Sequence, residues 1–419
     1  MSKTLVIGGG LLGLCTAKAL ADKGIEVEVL EAREAVGMET SFANGGMLTP
    51  SLPDPWNAPG VYRHLVASLF DPKSSMKLHL SSIPSLLSWG LGFLRNSSPG
   101  RFYESVESNY HLARYSLDLT AVWRERLQFD YCAGTVGSLK VFRAESAMAG
   151  PLALAERLGS LGLRYEQLDT EGALALEPAL EDICEHIVGA LYFPSDETGD
   201  AHLFCRGVAD ALDAMGVHVH TNTTALALII EHGKIVGVNT SAGDMRAERI
   251  VVAAGPQTPL LLRGTRLKLP IAPAKGYSVT FPVDGIDGLP LTPVIDDHMH
   301  AGVVPLSGRL RVVGTAEFIG YNTELSQVRV DNLVNLLHAF YPSISAQLDK
   351  TKAEPWTGLR PMSSDGRPFI GESRIKGLWF NAGHGHLGWT KAVGSAAMLA
   401  DLLAGRVPAI NHAPFAVHR

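Results

Sequence analysis

One stretch near the start constrains the fold more than anything else in the chain. Residues 4–31 read TLVIGGGLLGLCTAKALADKGIEVEVLE. A short β-branched strand enters Gly8-x-Gly10-x-x-Gly13. A helix opening with Leu11 and Leu12 follows, with Leu14, Ala17 and Leu20 at helical spacing. Gly24 is placed to end that helix, and a second strand, Glu26 to Leu30, closes on Glu31. Each piece has a physical job. Gly8 permits a tight turn, Gly10 lets backbone approach a pyrophosphate, and Gly13 lets helix pack on strand. The helix N-terminus offers free N–H groups and a positive dipole end to phosphates. Glu31 can accept hydrogen bonds from a ribose diol. A lone glycine motif reads equally well as a turn. With strand, helix and acid in register, the expectation is a dinucleotide site on a doubly wound α/β unit. The motif alone does not separate a nicotinamide from a flavin dinucleotide.

Composition narrows the partners. The chain has 419 residues, 36 basic and 42 acidic, for a formal net charge of −6. Phosphate neutralisation needs a basic surface, so nucleic acid is not expected as a partner. At 46% hydrophobic residues the chain can bury large cores, and its length suggests about two or three domains. The four Cys, at 15, 132, 184 and 205, show no metal or disulfide spacing and read as reduced thiols, with Cys15 a small buried helix residue. The first apolar run is strand-length and passes directly into glycines, unlike a signal peptide. No stretch of about 18 apolar residues occurs, so no spanning helix is expected. Leu80 to Leu94 comes nearest, but Pro84, Gly90, Gly92 and several Ser interrupt it. It reads as a buried or lid-like helix, with a membrane-surface element as the alternative. A cytoplasmic protein is expected, with peripheral contact on the cytoplasmic face of a membrane left open.

The chain reads as leaving and re-entering its opening domain. Segment 52–60 (LPDPWNAPG) is turn-forming. Helical stretches follow around 61–70, 78–95, 103–130 and 151–162, and another runs from about Leu203 to Met215. Strands are expected at VHVHTNTTA, KIVGVNT, ERIVVAAG, KGYSVTF and RLRVVGTAEF. A later helix carries Val330, Leu333, Val334, Leu337 and Tyr341 as one core-facing stripe.

The segment after Glu31 reads AREAVGMETSFANGGM. It resembles the continuation found in flavoenzymes of the D-amino acid oxidase and glycine oxidase superfamily. That resemblance implies FAD, with Ala32, Arg33, Thr40, Ser41, Asn44, Gly45, Gly46 and Met47 along its phosphates, ribityl chain and ring. Further motifs are WTGLRPMSSDGRPFIG at 356–371 and LWFNAGHGHLGWTKAVGS at 378–395, with Pro273-x-Lys-Gly-Tyr-Ser278, Asp196-Glu-Thr-Gly199 and Gly314-Thr-Ala-Glu317. In this order they closely resemble the bacterial D-amino acid dehydrogenase small-subunit family over essentially the whole length. Met38, Gly45-Gly46, His386 and Lys391 depart from the family pattern, which bears on substrate preference more than on cofactor or fold.

The resemblance implies a glutathione-reductase-like, Rossmann-type FAD domain assembled from 1–51, 196–265 and 346–419. A second α+β substrate domain on a mixed antiparallel sheet would come from 52–195 and 266–345. Thr224 and Ala225 would place backbone near the adenine, and Ala254 and Gly255 would pass the adenosine side. Gly358, Gly385, His386, Leu387, Gly388, Trp389 and Thr390 would lie near the flavin ring, where a helix starting near Gly388 would stabilise charge at its pyrimidine edge. Implied too is oxidative deamination of D-amino acids to 2-oxo acids and ammonia. Hydride would pass from substrate Cα to flavin N5, and electrons would leave to a quinone or other acceptor. Oligomeric state is not implied.

Such chemistry asks mainly for orientation and electrostatics. Arg360 in Gly-Leu-Arg-Pro is the candidate carboxylate clamp, because a planar guanidinium binds a carboxylate through two bonds; the plain reading is an interdomain salt bridge. Tyr277 could donate to the same carboxylate or lie over the substrate, and otherwise is a packed strand residue. Lys275 is either a charge near the flavin or a surface lysine. His384 and His386 could tune the flavin or bind substrate, or simply hold a glycine turn. Asp296, Asp297, His298 and His300 have ligand-like spacing, but a loop between strands explains them equally well and no metal is expected. Alternatives on the same scaffold are D-hydroxyproline, sarcosine or glycine-type amine oxidoreductases. Alternatives in other classes are a flavin-free nicotinamide protein and a non-catalytic FAD-binding subunit.

Overall fold

A computed structural model describes residues 3–62, 76–299 and 301–419. The opening strand Thr4–Ile7 is buried at every position, because it is paired in parallel on both sides, to Arg249–Val252 and to Val27–Leu30. A strand buried on both faces has no need to alternate, which is why Leu5, Val6 and Ile7 are apolar without a break. The full sheet orders its strands Phe369–Glu372, Leu378–Ala382, Arg249–Val252, Thr4–Ile7, Val27–Leu30 and Val219–His220. All pair in parallel except the edge strand Phe369–Glu372. Helices Leu11–Ala21, Ala201–Ala214 and Ala392–Leu403 contribute to the core on one face. Ile235 and Val238 from the antiparallel meander at 225–246 help to fill the other.

The second sheet has nine strands and is mixed. Glu354–Ser363, Ile271–Pro282, Arg309–Phe318 and Ala301–Leu306 run antiparallel in that order. Val294–Asp296, Ser138–Phe142, Gly189–Phe193 and Glu166–Leu168 continue it, with one parallel pairing between the first two. Met76–Leu78 adds in parallel to Arg309–Phe318. The helix Gln327–Phe340 packs on one face through Val330, Leu333 and Leu337, the stripe expected from the sequence. The other face turns toward the first sheet.

The long helix Pro99–Leu127 starts with Pro in its first turn and ends at Gln128 in the left-handed region. It crosses Ala392–Leu403 closely: a Cβ at Gly394 would lie 2.7 Å from the Ser116 side chain. Helix Ile83–Arg95 buries Trp89 and Phe93 against Ala272, Phe318 and Met362.

The α/β class and the two unlike sheets match the sequence expectation. The helical stretch at 61–70 falls mostly outside the described residues. Strands at 138–142 and 189–193 fall between and beyond the expected helical stretches, where the sequence reading named no element. Glu354–Ser363 falls within the segment assigned to the FAD domain, yet pairs with Ile271–Pro282 from Ile271↔Ser363 to Thr280↔Glu354. It is an edge strand of the second sheet. EPWTGLRPMS has no β-branched run to announce it, and its partner lies far upstream.

Candidate active site

A cavity of about 1640 Å³ lies between the C-terminal ends of the first sheet's parallel strands and the inner face of the second sheet. That is the crevice where open α/β sheets bind ligands. It exceeds the roughly 300–1,000 Å³ of a pocket for one drug-sized molecule and suits an extended cofactor with a substrate beside it. Every sequence candidate for the cofactor lines it except Gly13 and Gly46.

At one end the glycine turn forms a backbone cradle. Gly8 has φ +116°, and a Cβ there would meet the Ala253 carbonyl at 2.6 Å. A Cβ at Gly13 would collide with the Gly8 carbonyl, so Gly13 seats the helix on the turn from behind the cavity. Gly10 is the N-cap of the first helix and meets only the Ser41 hydroxyl, at 3.3 Å. Glu31 is buried, and its carboxylate accepts from Gly9 N at 2.7 Å and Arg33 N at 2.8 Å. Burial pushes its pKa up, and the backbone N–H donors oppose this. Arg33 is exposed and paired with Glu39.

The middle of the cavity is stitched across the two sheets. Thr40 donates to Leu359 O at 2.8 Å, Ser278 to Ala43 O at 2.8 Å, and Arg311 to Asn44 O at 3.0 Å. These bonds hold the Thr40–Met47 loop against the second sheet.

At the far end stands Arg360. Its guanidinium lies over the face of Trp56, 5.6 Å from the ring centroid, and donates to Thr315 O at 3.3 Å. Among the described residues no carboxylate pairs with it. Burial lowers its pKa to about 10. Two backbone features make its seat. A Cβ at Gly276 would collide with the guanidinium, so only glycine leaves room. Thr315 has φ +62°, rare for a β-branched residue, at a register break between Gly276↔Ala316 and Tyr277↔Gly314. Such a bulge re-aims backbone groups, here a carbonyl toward Arg360. His386 stacks on Trp56, with centroids 5.4 Å apart and planes at 18°. Burial, with help from Lys391 and Arg360, lowers the His386 pKa to about 3, so the imidazole is neutral. Arg360, His386 and Trp56 therefore form one cluster. Sequence reading missed Trp56 and Thr315. The only signal for Trp56 was an aromatic ring inside a Pro-rich loop.

Tyr277 is among the residues lining the cavity, but its hydroxyl is already engaged. Its hydroxyl donates to Glu317 Oε2 at 2.7 Å, and its ring joins the core under helix Gln327–Phe340. Neighbouring strand residues point to opposite faces, so Gly276 faces Arg360 and Tyr277 faces away. The expectation that its phenol meets the substrate carboxylate is corrected on this geometry. Lys275 shares Tyr277's face; it is buried and donates to Asn322 Oδ1 at 3.0 Å, neither near the flavin cradle nor at the surface. Asp296 pairs with Arg143 at 2.6 Å and accepts from His298 N and Met299 N, while Asp297 pairs with Lys140 at 2.6 Å. His300 lies outside the described residues. The regular helix expected from near Gly388 begins at Ala392. Lys391 N already donates to Leu387 O at 3.1 Å, so the backbone turns helically one turn earlier, after the short 3₁₀ turn Gly385–Leu387.

The cradle fits FAD. Its turn excludes any Cβ at Gly8, its helix N-terminus lines the cavity with Leu11 N donating to Ser41 Oγ at 3.2 Å, and the neighbouring acid is held by backbone N–H groups. Asn381, His384 and Trp389 line the cavity, and Asn381 Oδ1, Trp389 Nε1 and both His384 ring nitrogens are buried without a hydrogen-bond partner among the described residues. Comparison with known proteins agrees. The chain is 37% identical over 418 residues to a D-amino acid dehydrogenase from Xanthobacter autotrophicus, covering 100% of this chain and 99% of that one. It is 38% identical over 418 residues to a D-amino acid dehydrogenase from Methylobacterium sp., with the same coverage. Among solved structures, glycine oxidase from Geobacillus kaustophilus superposes with a TM-score of 0.77 at 24% identity, covering 100% of this chain and 99% of that one. A profile described as FAD dependent oxidoreductase matches residues 3–402, and the chain belongs to that family.

Proposed function

We propose that this chain is an FAD-dependent D-amino acid dehydrogenase, with Arg360 as the substrate carboxylate clamp. One observation carries the reading. Arg360 is a cation with no carboxylate partner among the described residues, held in a cavity beside a dinucleotide cradle. A partly desolvated guanidinium whose only acceptor is a carbonyl is completed by an anion, and a carboxylate matches its fork. Full-length relatives named D-amino acid dehydrogenase support the substrate class.

FAD, when bound, supplies the hydride acceptor for oxidation of the substrate Cα–H bond. The residues of this chain do the positioning. Arg360 fixes the carboxylate, Gly276 and the Thr315 carbonyl fix Arg360, and Trp56 with His386 forms a planar wall beside it. With its pKa lowered to about 3, neutral His386 can hydrogen-bond but is too weak a base to take a proton from the substrate ammonium. The substrate ammonium therefore gives its proton to solvent before oxidation, and rates rise with pH through the amine's own pKa. The imino acid released is hydrolysed by water to a 2-oxo acid and ammonia.

Electrons leave to a quinone or other acceptor. Peripheral contact with a membrane surface is supported by Leu80, Leu87 and Leu91 at and along helix Ile83–Arg95, which are 70%, 60% and 70% exposed. Among the described residues no helix is long and apolar enough to cross a membrane. Co-flotation with anionic vesicles tests the contact, and its loss in Leu87→Ser/Leu91→Ser assigns it to this helix.

The central test is anaerobic. Purified protein is expected to be yellow, and its flavin to bleach with D-amino acids and not with their L-forms. Bleaching by L-forms alone, or a colourless protein that takes up no FAD, refutes the reading.

A further inference from the structure

Lys391 is fully buried, at 0% exposure, immediately before helix Ala392–Leu403. A lysine so placed is rare unless paired. Among the described residues no carboxylate lies within ion-pairing distance of it. Its ammonium donates instead to a neutral amide, Asn109 Oδ1, at 3.1 Å. Asn109 lies on the long helix Pro99–Leu127 and is itself 0% exposed. Its Nδ2 donates to Pro53 O at 3.1 Å and to Gly366 O at 3.0 Å. Both amide hydrogens and one lone pair of the amide oxygen are therefore set by its neighbours. An ammonium has only donors, so it takes the amide oxygen. Two carbonyls have only lone pairs, so they take the amide nitrogen.

Pro53 belongs to the loop that carries Trp56. The same loop rests on Gly366, where a Cβ would collide with Pro55. Trp56 in turn stacks on His386 and lies under Arg360. A continuous path of contacts thus runs from Lys391 through Asn109 and Pro53 to the wall of the candidate substrate site.

We infer that Lys391 is a positioning residue. Its ammonium orients Asn109 so that the amide hydrogens hold the 52–60 loop, and with it Trp56, against Arg360 and His386. Burial works against the charge at this place, and one neighbouring carboxylate works for it. Burial lowers the Lys391 pKa to about 7 and Arg419 adds to this, while the Asp365 carboxylate opposes it from the next loop. Asp365 is itself held by Arg419 at 2.7 Å and by Arg367 at 3.3 Å, so it supports the ammonium without binding it. His384 and His386, the other ionisable groups near it, are pushed toward their neutral forms by burial and then by this ammonium. That the loop's effect reaches the substrate rests on the clamp reading proposed above.

Two variants test it in the holoenzyme. Lys391→Met removes the donor. Asn109→Asp keeps an acceptor for the ammonium but has no hydrogens for Pro53 and Gly366. Hydrogen–deuterium exchange at 52–60 reads the loop, and benzoate binding, followed by perturbation of the oxidised flavin spectrum, reads the carboxylate site without turnover. In both variants amide protection at 52–60 is expected to drop selectively. The benzoate Kd and substrate KM should rise on the order of ten- to a hundred-fold while the limiting rate of flavin reduction changes less. Unchanged protection at 52–60, or a loss no greater than that of the whole protein, overturns the inference. If Lys391→Met does not fold, Asn109→Asp decides alone. Selective loss of protection with an unchanged benzoate Kd upholds the Lys391 link and breaks the clamp reading instead.

Discussion

The two faces of strand Ile271–Pro282 treat buried charge in opposite ways. On the face under helix Gln327–Phe340, polar groups complete one another. Tyr277 donates to Glu317, whose other oxygen takes Arg329 Nε at 3.0 Å. Burial, reinforced by Glu317, raises the Tyr277 pKa, while Tyr277 and Arg329 hold the Glu317 carboxylate below its usual range against a desolvation that favours the neutral acid. On the cavity face, Arg360 has a carbonyl and an aromatic ring but no anion among the described residues. A buried network satisfied internally specifies the fold, whereas one left incomplete specifies a ligand.

Arg360→Ala should separate the faces most sharply. If the clamp is desolvated in the complex, its loss should weaken binding of carboxylate substrates by about 2–5 kcal/mol, with FAD retained. Steady-state kinetics with a D-amino acid and flavin absorbance of the purified variant check both parts, and an unchanged KM removes Arg360 from the site. Gly276→Ala should come next. The added methyl takes the space of the guanidinium without touching its charge, so kcat/KM should fall on the order of a hundred-fold with little change in FAD content. Tyr277→Phe should do the reverse. It leaves a Glu317 oxygen short of a donor and should cost about 1–3 kcal/mol of stability in denaturant titration, with KM near wild type. A large rise in KM for Tyr277→Phe would erase the distinction between the faces.

The same strand shows what the sequence could reveal. The glycine turn was legible because strand, turn, helix and acid fall within one short segment, and each is marked by local periodicity. Arg360 was singled out by residue type, since few side chains suit a carboxylate, and it does line the cavity. Tyr277 was misjudged because adjacent strand residues differ only in parity, and parity is set by pairing with Glu354–Ser363 and Arg309–Phe318, far along the chain. Trp56 and Thr315 were missed for the same reason. One gains its role by stacking on His386, the other from a bulge, and neither long-range contact leaves a local pattern.

Asp196 offers the finest test, because it sits between the two cases. It is buried at 1% exposure, has no ion pair among the described residues, and is held by two serine hydroxyls and by Ser51 N, which donates to its Oδ1 at 3.3 Å. Ser138 Oγ donates to it at 2.6 Å and Ser51 Oγ donates to the same oxygen. Burial raises its pKa to about 7, with both serines opposing. A carboxyl raised on folding binds more protons in the folded state than in the unfolded one at pH between the two values. Its contribution to stability is therefore full in acid and is lost as pH rises from the ordinary carboxylate range toward 7, by at most about 1.4 kcal/mol per pH unit. Asp196→Asn should flatten that part of the stability–pH curve, measured by urea unfolding from pH 4.5 to 7.5, and leave the Arg360-dependent kinetics in place. An identical slope in the variant would mean that the serines already complete the carboxylate as fully as Arg329 completes Glu317.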